Sequence, residues 1–355
     1  MHTWWKRTAA AVLAASLFVG VGTEAKAGHT RENPVVTAVK KAANSVVTVK
    51  VQKHGTYSSK EVSGTGVIVD ARGYVLTNCH VVANGAGLKV VLPDGSEVGG
   101  EVVVEDASHD MAVVKLPSGK YQEMTFAPAS DLMVGEEIIA IGHPYGYTNT
   151  VSTGIVSALN REVSMPSGDV LSGCIQITAS INPGNSGGPL LNINGELIGV
   201  NSAVRQDAQG IAFALNADMV QQVLATDLSA GKIAHISHGL TCHEVVTGED
   251  GADRVQVVVD EVAAKSPAAA AGLKKGDVLT KIANRTVTNR FDVERAFWDC
   301  NCGAKVDVAM QRDGKAMTAT LALVKGDGDR VSASTPAPVV AWDMSAVGTP
   351  VNDQK

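Results

Sequence analysis

The chain has 355 residues, 45% of them hydrophobic and 19% charged, with a formal net charge of −6. That length suffices for two ordinary domains, and the composition is that of a globular protein. A net negative chain argues against a nucleic-acid partner, which calls for a basic face, and aromatic content of 4% leaves the core to Val, Ile, Leu and Ala.

Residues 1–27 read as an export signal. Lys6 and Arg7 form the charged start, Thr8 to Gly22 is an apolar run short for a membrane span, and Ala25-Lys26-Ala27 has the small-x-small form of a cleavage site. The expected location is periplasmic or otherwise extracytoplasmic. Membrane attachment is expected only if the segment stays uncleaved. Residues 28–33 are polar. Pro34 to Ser45 carries Val35, Val36, Val39 and Ala42 at helical spacing. Val46 to Val51 is strand-like, and His54 to Glu61 reads as a short polar loop. Short Val-rich runs broken by Asp70-Ala71-Arg72-Gly73 and Pro93-Asp94-Gly95 predict hairpins. The same alternation continues to Leu215. Asn216 to Leu228 reads as a helix capped by Asn216, with Met219, Val220, Val223 and Leu224 on its apolar face. Ser229 to Ser237 reads as a linker, and the Gly-, Ser- and Pro-rich stretch from Lys325 as a disordered tail.

The chemistry centres on Asn182-Pro183-Gly184-Asn185-Ser186-Gly187-Gly188-Pro189-Leu190. Ser186 lies among glycines, where a sharp turn can expose its hydroxyl. The N–H groups of Gly184 and Ser186 are candidates for an oxyanion hole. A glycine-flanked serine alone is a weak signal. Upstream, Thr77-Asn78-Cys79-His80-Val81-Val82 supplies a base after a strand-like run. Ser108-His109-Asp110-Met111-Ala112-Val113 supplies an acid before another. The order His80, Asp110, Ser186 is that of the chymotrypsin fold. His109 reads as a surface residue. Cys79, expected to face away from its neighbour along a strand, reads with Cys174 as a small buried hydrophobe. The five cysteines are too few for a disulfide scaffold. His235, His238, Cys242 and His243 match no strong metal motif, so no metal is expected.

Residues 62–216 resemble the protease domain of the HtrA (Deg) family. The resemblance is carried by Ser63-Gly64-Thr65-Gly66-Val67-Ile68, the His80 and Asp110 stretches, Ile141-Gly142-His143-Pro144-Tyr145-Gly146, Val151 to Leu159, the Ser186 stretch and Gly210-Ile211-Ala212-Phe213-Ala214. It implies a mainly β fold: a chymotrypsin-like pair of six-stranded barrels over 34–230, with the site in the cleft between them. Residues 239–324 resemble a PDZ domain, β-rich with two helices. Its best block is Ser266 to Leu279, with Asp292 to Trp298 as the helix along the peptide groove. Such a domain takes a C-terminal peptide as an added strand. The peptide-binding candidates are Leu240, Thr241 and Cys242, with Thr241 standing where the family usually has glycine.

The resemblance further implies an ATP-independent serine endopeptidase without cofactor, assembled as a homotrimer, that cuts unfolded or misassembled proteins. A chaperone or peptide-binding scaffold with little proteolysis is the alternative. Counting back from Ser186 places Ser180 at the base of the specificity pocket, with Ile181, Ser202, Ala203, Ile211 and Phe213 as walls. That lining predicts a small apolar residue before the cut. Asn185 stands where digestive relatives have an aspartate that pairs with a new N-terminus, so activation by N-terminal clipping is not expected. Residues 161–173 are the expected sensor loop.

Overall fold

The computed structural model describes residues 32–54, 59–127, 132–143, 150–165, 170–204, 210–247 and 254–326. The export signal, the tip of the 54–61 loop, the Pro144-Tyr145-Gly146 part of its motif and the tail beyond 326 lie outside those residues.

Helix α1 (Pro34–Ala42) starts where sequence chemistry places it. Asn33 accepts the Val36 N–H at 2.8 Å, and proline fills the first turn, where its missing N–H costs nothing. Ala38 and Ala42 are buried. A single 3-10 turn at 43–45 then feeds the first sheet.

That sheet contains β1 (Val46–His54), β2 (Ser59–Asp70), β3 (Tyr74–Thr77), β4 (Gly85–Val91), β5 (Glu97–Gly99), β6 (Glu101–Asp106) and β7 (Met111–Lys115). Its order is β5-β4-β1-β2-β3-β7-β6, seven strands rather than the expected closed six. The seventh arises because the run predicted from Glu97 to Glu105 breaks at Gly100, whose N–H turns to the Leu88 carbonyl at 3.3 Å. A one-turn helix, α2 (Cys79–Val82), interrupts the strands after β3.

The second sheet is a closed six-stranded barrel. It is built from β8 (Glu137–Gly142), β9 (Thr150–Ser164), β10 (Val170–Ile177), β11 (Pro189–Leu191), β12 (Leu197–Val204) and β13 (Ala212–Asn216), in the order β10-β13-β12-β11-β8-β9. Its strands carry branched aliphatics such as Ile138, Ile141, Ile175, Ile177 and Leu190, all fully buried. Most of the expected sensor loop is strand, because Ser164 pairs with Val170 and Val163 with Leu171.

Helix α3 (Ala217–Asp227) is capped by Asn216, which accepts the Asp218 N–H at 2.8 Å. The predicted linker contains a short helix, α4 (Ala230–Ala234), and then β14 (Ile236–Ser237). The C-terminal domain follows with β15 (Leu240–Thr247), β16 (Arg254–Val262), α5 (Pro267–Ala270), β17 (Val278–Ile282), β18 (Arg285–Thr286), α6 (Arg290–Arg295), β19 (Lys305–Arg312), β20 (Lys315–Ala322) and β21 (Val324–Lys325). Its main sheet runs β15-β16-β17-β19-β20, so β15 is an edge strand.

Helix α6 and the turn after it form the seam between the domains. Phe291 and Trp298 belong to the same apolar core as the barrel. The Trp298 indole donates to the Leu228 carbonyl at 2.8 Å, and Arg295 reaches the Val69 carbonyl at 2.7 Å. A cleft of ≈ 650 Å³ opens in this seam, lined by Arg72, Glu123, Arg285 and Cys300 among others. It shares no lining residue with the region of His80 and Ser186.

Candidate active site

His80 stands on α2, and Asp110 on the turn just before β7. Asp110 holds a left-handed backbone, φ 52°, which turns its carboxylate back onto α2. Both carboxylate oxygens lie 3.0 Å from His80 Nδ1, and Oδ1 also accepts the His80 backbone N–H at 3.1 Å. Asp110 is 1% exposed. An ionised carboxylate only accepts, so it selects the tautomer with hydrogen on Nδ1 and makes Nε2 the acceptor nitrogen of the ring. The Asp110 carbonyl is held in turn by Asn78 Nδ2 at 2.9 Å and by the Cys79 N–H at 3.2 Å.

Ser202, on β12, was expected in the pocket wall. Its hydroxyl donates to Asp110 Oδ2 at 2.8 Å, and its carbonyl accepts the Ser186 hydroxyl at 3.1 Å. One residue of the second barrel thus touches both the acid and the serine. Ser186 is 5% exposed.

The loop bearing Ser186 is shaped by two left-handed glycines, Gly184 at φ 103° and Gly187 at φ 82°. A Cβ on Gly187 would lie 2.2 Å from the Thr65 carbonyl oxygen and 2.3 Å from Thr77 Oγ1, so only glycine fits. The neighbouring backbone is pinned: Gly187 N–H to the Asn201 carbonyl at 2.8 Å, and Gly188 N–H to the Asn185 carbonyl at 3.0 Å. The N–H groups of Gly184 and Ser186 make no hydrogen bond among the described residues. Backbone N–H groups presented on one turn are the kind of donor that a developing oxyanion requires.

Thr65 carries no role in the sequence reading, yet it stitches this loop to the first sheet. Its hydroxyl donates to the Gly184 carbonyl at 2.6 Å and accepts the His143 N–H at 2.9 Å. Its own N–H donates to the Ser186 carbonyl at 2.9 Å. The only signal in the sequence was its place in the glycine-rich run 63–66.

Among the other pocket candidates, Ser180 is exposed, and its carbonyl accepts the Ser152 hydroxyl at 2.8 Å. Ile181 is 8% exposed. Phe213 and Ile211 are half-buried, and Phe213 pairs in register with Ala203. Thr178 uses its hydroxyl to accept the Ile155 N–H at 2.9 Å.

Cys79 lies on the helical turn of α2, not on a strand as expected, but it is buried all the same. Burial, reinforced by the negative charge of Asp110, pushes its thiol up to about 12. It is therefore a neutral thiol, not a competing nucleophile. His109 is a half-buried neighbour whose Nδ1 lies 2.6 Å from Asp106 Oδ2. His238 and His243 are engaged by Glu294 and Asp260.

Comparison with known proteins agrees with this architecture. The Trypsin-like peptidase domain family matches residues 64–200, and the PDZ domain family matches residues 210–323. The chain is 38% identical over 273 residues to the Putative serine protease HhoB of Synechocystis. That alignment spans 71% of this chain and 64% of the relative, which is under two thirds of its length. It is 35% identical over 340 residues to the Serine protease Do-like HtrA of Lactococcus lactis subsp. cremoris, spanning 83% of this chain and 84% of the relative. The Periplasmic serine endoprotease DegP of Salmonella typhimurium is 36% identical over 77% of this chain and 59% of its own. Among solved structures, HtrA-type protease AlgW with tripeptide superposes with a TM-score of 0.51 at 30% identity, covering 82% of this chain and 96% of that one. The chain belongs to the HtrA-type family of serine endopeptidases, with a trypsin-like peptidase domain followed by one PDZ domain.

Proposed function

We propose that the chain is an exported endopeptidase that cuts unfolded or misassembled proteins through an acyl-enzyme on Ser186. The observation that carries this reading is the hydrogen-bonded line through Ser186, Ser202, Asp110 and His80, set beside the N–H groups of Gly184 and Ser186, which bond nothing among the described residues. The Ser186 hydroxyl turns from the Ser202 carbonyl to His80 Nε2 and gives up its proton there as Oγ attacks the scissile carbonyl. Asp110 keeps the ring oriented and stabilises the imidazolium. The N–H groups of Gly184 and Ser186 receive the oxyanion. His80 then passes the proton to the departing amine, and water, deprotonated by the same ring, releases the acid.

Export is supported by the charged start, apolar run and small-x-small site of residues 1–27, and by relatives whose names place them in the periplasm. Among the described residues no helix is long and apolar enough to cross a membrane. Peptide capture by the PDZ domain is supported by the exposed edge of β15 and by peptides bound to similar HtrA-type proteases. A homotrimer is the assembly proposed by family resemblance. Ser180 and Ile181 propose a small apolar residue before the cut.

Casein digestion with mass-spectrometric mapping of the termini tests the reading. The expected result is cleavage after Val, Ala or Ile, absent in Ser186→Ala. Casein left intact by the wild-type chain, or a strong preference for Arg, would contradict it.

A further inference from the structure

The PDZ domain offers β15 as its edge strand, which Gly239 precedes and Leu240-Thr241-Cys242 begins. A groove that holds a peptide's terminal carboxylate needs unpaired backbone N–H groups at the start of that strand. Leu240 has none to give. Its N–H donates to Nδ1 of His238, two residues upstream, at 3.1 Å.

His238 is a fixture rather than a loose surface group. It is 6% exposed. Its ring lies flat on Phe297, with centroids 4.7 Å apart and planes at 11°. Nε2 faces the Glu294 carboxylate on α6, at 3.2 Å from Oε1 and 3.3 Å from Oε2. Glu294 is itself anchored by the Ala230 N–H at 2.8 Å. With Nδ1 accepting from Leu240, the ring hydrogen must sit on Nε2 and point at Glu294.

Charge and backbone point the same way. The formal charge beside His238 is the Glu294 carboxylate, which would repel a second one. The guanidinium of Arg290 at the start of α6 is already taken by Glu244, with Nε to Oε2 at 2.6 Å. The left-handed glycine is Gly239, φ 79°, where a Cβ would lie 2.1 Å from that of Ser266. Thr241, at the position where the loop would wrap a carboxylate, is already in the ladder opposite Glu261.

We propose that this groove accepts an internal extended segment of an unfolded chain by strand addition to β15, in preference to a free C-terminus, and that His238 sets the preference. An internal segment brings no terminal charge to Glu294 and needs no donor from Leu240. The inference rests on the peptide-binding reading above and names its partner class.

The test uses the full chain carrying Ser186→Ala, so that peptides are not digested. The probe is one pool of random-sequence decapeptides synthesised in two forms, with a C-terminal carboxylate and with a C-terminal amide. Retention of both is measured near neutral pH. The amide pool is expected to bind at least as well as the acid pool. His238→Phe keeps the stack on Phe297 and removes the Nδ1 acceptor. Combined with Glu294→Gln, it is expected to shift retention toward the acid form by about tenfold. Preferential retention of acids by about tenfold without these substitutions would overturn the inference and leave peptide binding standing. Retention of neither pool would remove both. An unchanged ratio in the double variant, with its thermal melt intact, would remove His238 as the determinant.

Discussion

At Asp110 the backbone sits in the left-handed region, φ 52°, which costs a non-glycine residue on the order of 1–3 kcal/mol. The surrounding bonds hold it there: Asn78 and Cys79 on its carbonyl, His80 and Ser202 on its carboxylate. In the proposed mechanism Ser202 is therefore a positioning residue. Ser202→Ala leaves the carboxylate one donor short in a buried place. A hydrogen bond to a charged group contributes about 1.5–3 kcal/mol, so kcat is expected to fall about tenfold or more with KM little changed. A steady-state comparison on a chromogenic peptide checks this, and an unaltered kcat would remove Ser202 from the machinery. The sequence made His80, Asp110 and Ser186 legible because each sits in a local motif. It hid what the hydroxyls of Ser202 and Thr65 do, because they act on residues far along the chain that periodicity and spacing do not connect.

At the scale of elements, short strands and tight turns were legible through Val alternation and Gly punctuation. The seven-stranded first sheet was not, because it depends on one amide at Gly100 turning aside. The expected loop at 161–173 is largely a hairpin for a related reason: Arg161 to Ser164 and Val170 to Gly173 extend pairing already begun at Val156 and Ile177. The sequence showed polar residues there but not their register. The turn bearing Ser186 is the element with least tolerance. Gly187→Ala would force a Cβ into the Thr65 carbonyl while demanding a left-handed alanine. The expected outcome is loss of casein cleavage and a lowered melting temperature. Full activity with an unchanged melt would show that this backbone can move aside.

Across the whole molecule the domains are joined by a buried ionic seam that no local pattern announces. Asp70 is fully buried, bonded to Arg72 Nε at 2.7 Å and near Arg295, which also reaches Asp292. Removing one partner of such a pair strands the other charge, at a cost of about 3–5 kcal/mol. Arg295→Ala is accordingly expected to shift the denaturant midpoint well downward, and a shift within error would show that the seam contributes nothing. Burial alone would raise the Asp70 carboxyl, but the hydrogen bonds and charge of Arg72, with the charge of Arg295, outweigh it and hold the group below its ordinary 3.8. A depressed folded-state value means the contribution is whole above that value and is lost as pH falls through the lower one. Thermal melts are thus expected to show no loss from this group down to about pH 4 and a steep loss below it, shallower in Arg72→Met. Equal acid sensitivity in both proteins would contradict the assignment.

The proposed proteolytic chemistry rests on an activated hydroxyl at Ser186, and active-site labelling with a fluorophosphonate reads that directly. The wild-type chain is expected to take up one label, mapped to Ser186, and to lose it in Ser186→Ala and in His80→Ala. A wild-type chain that stays unlabelled, or a label that survives both substitutions, would contradict the account.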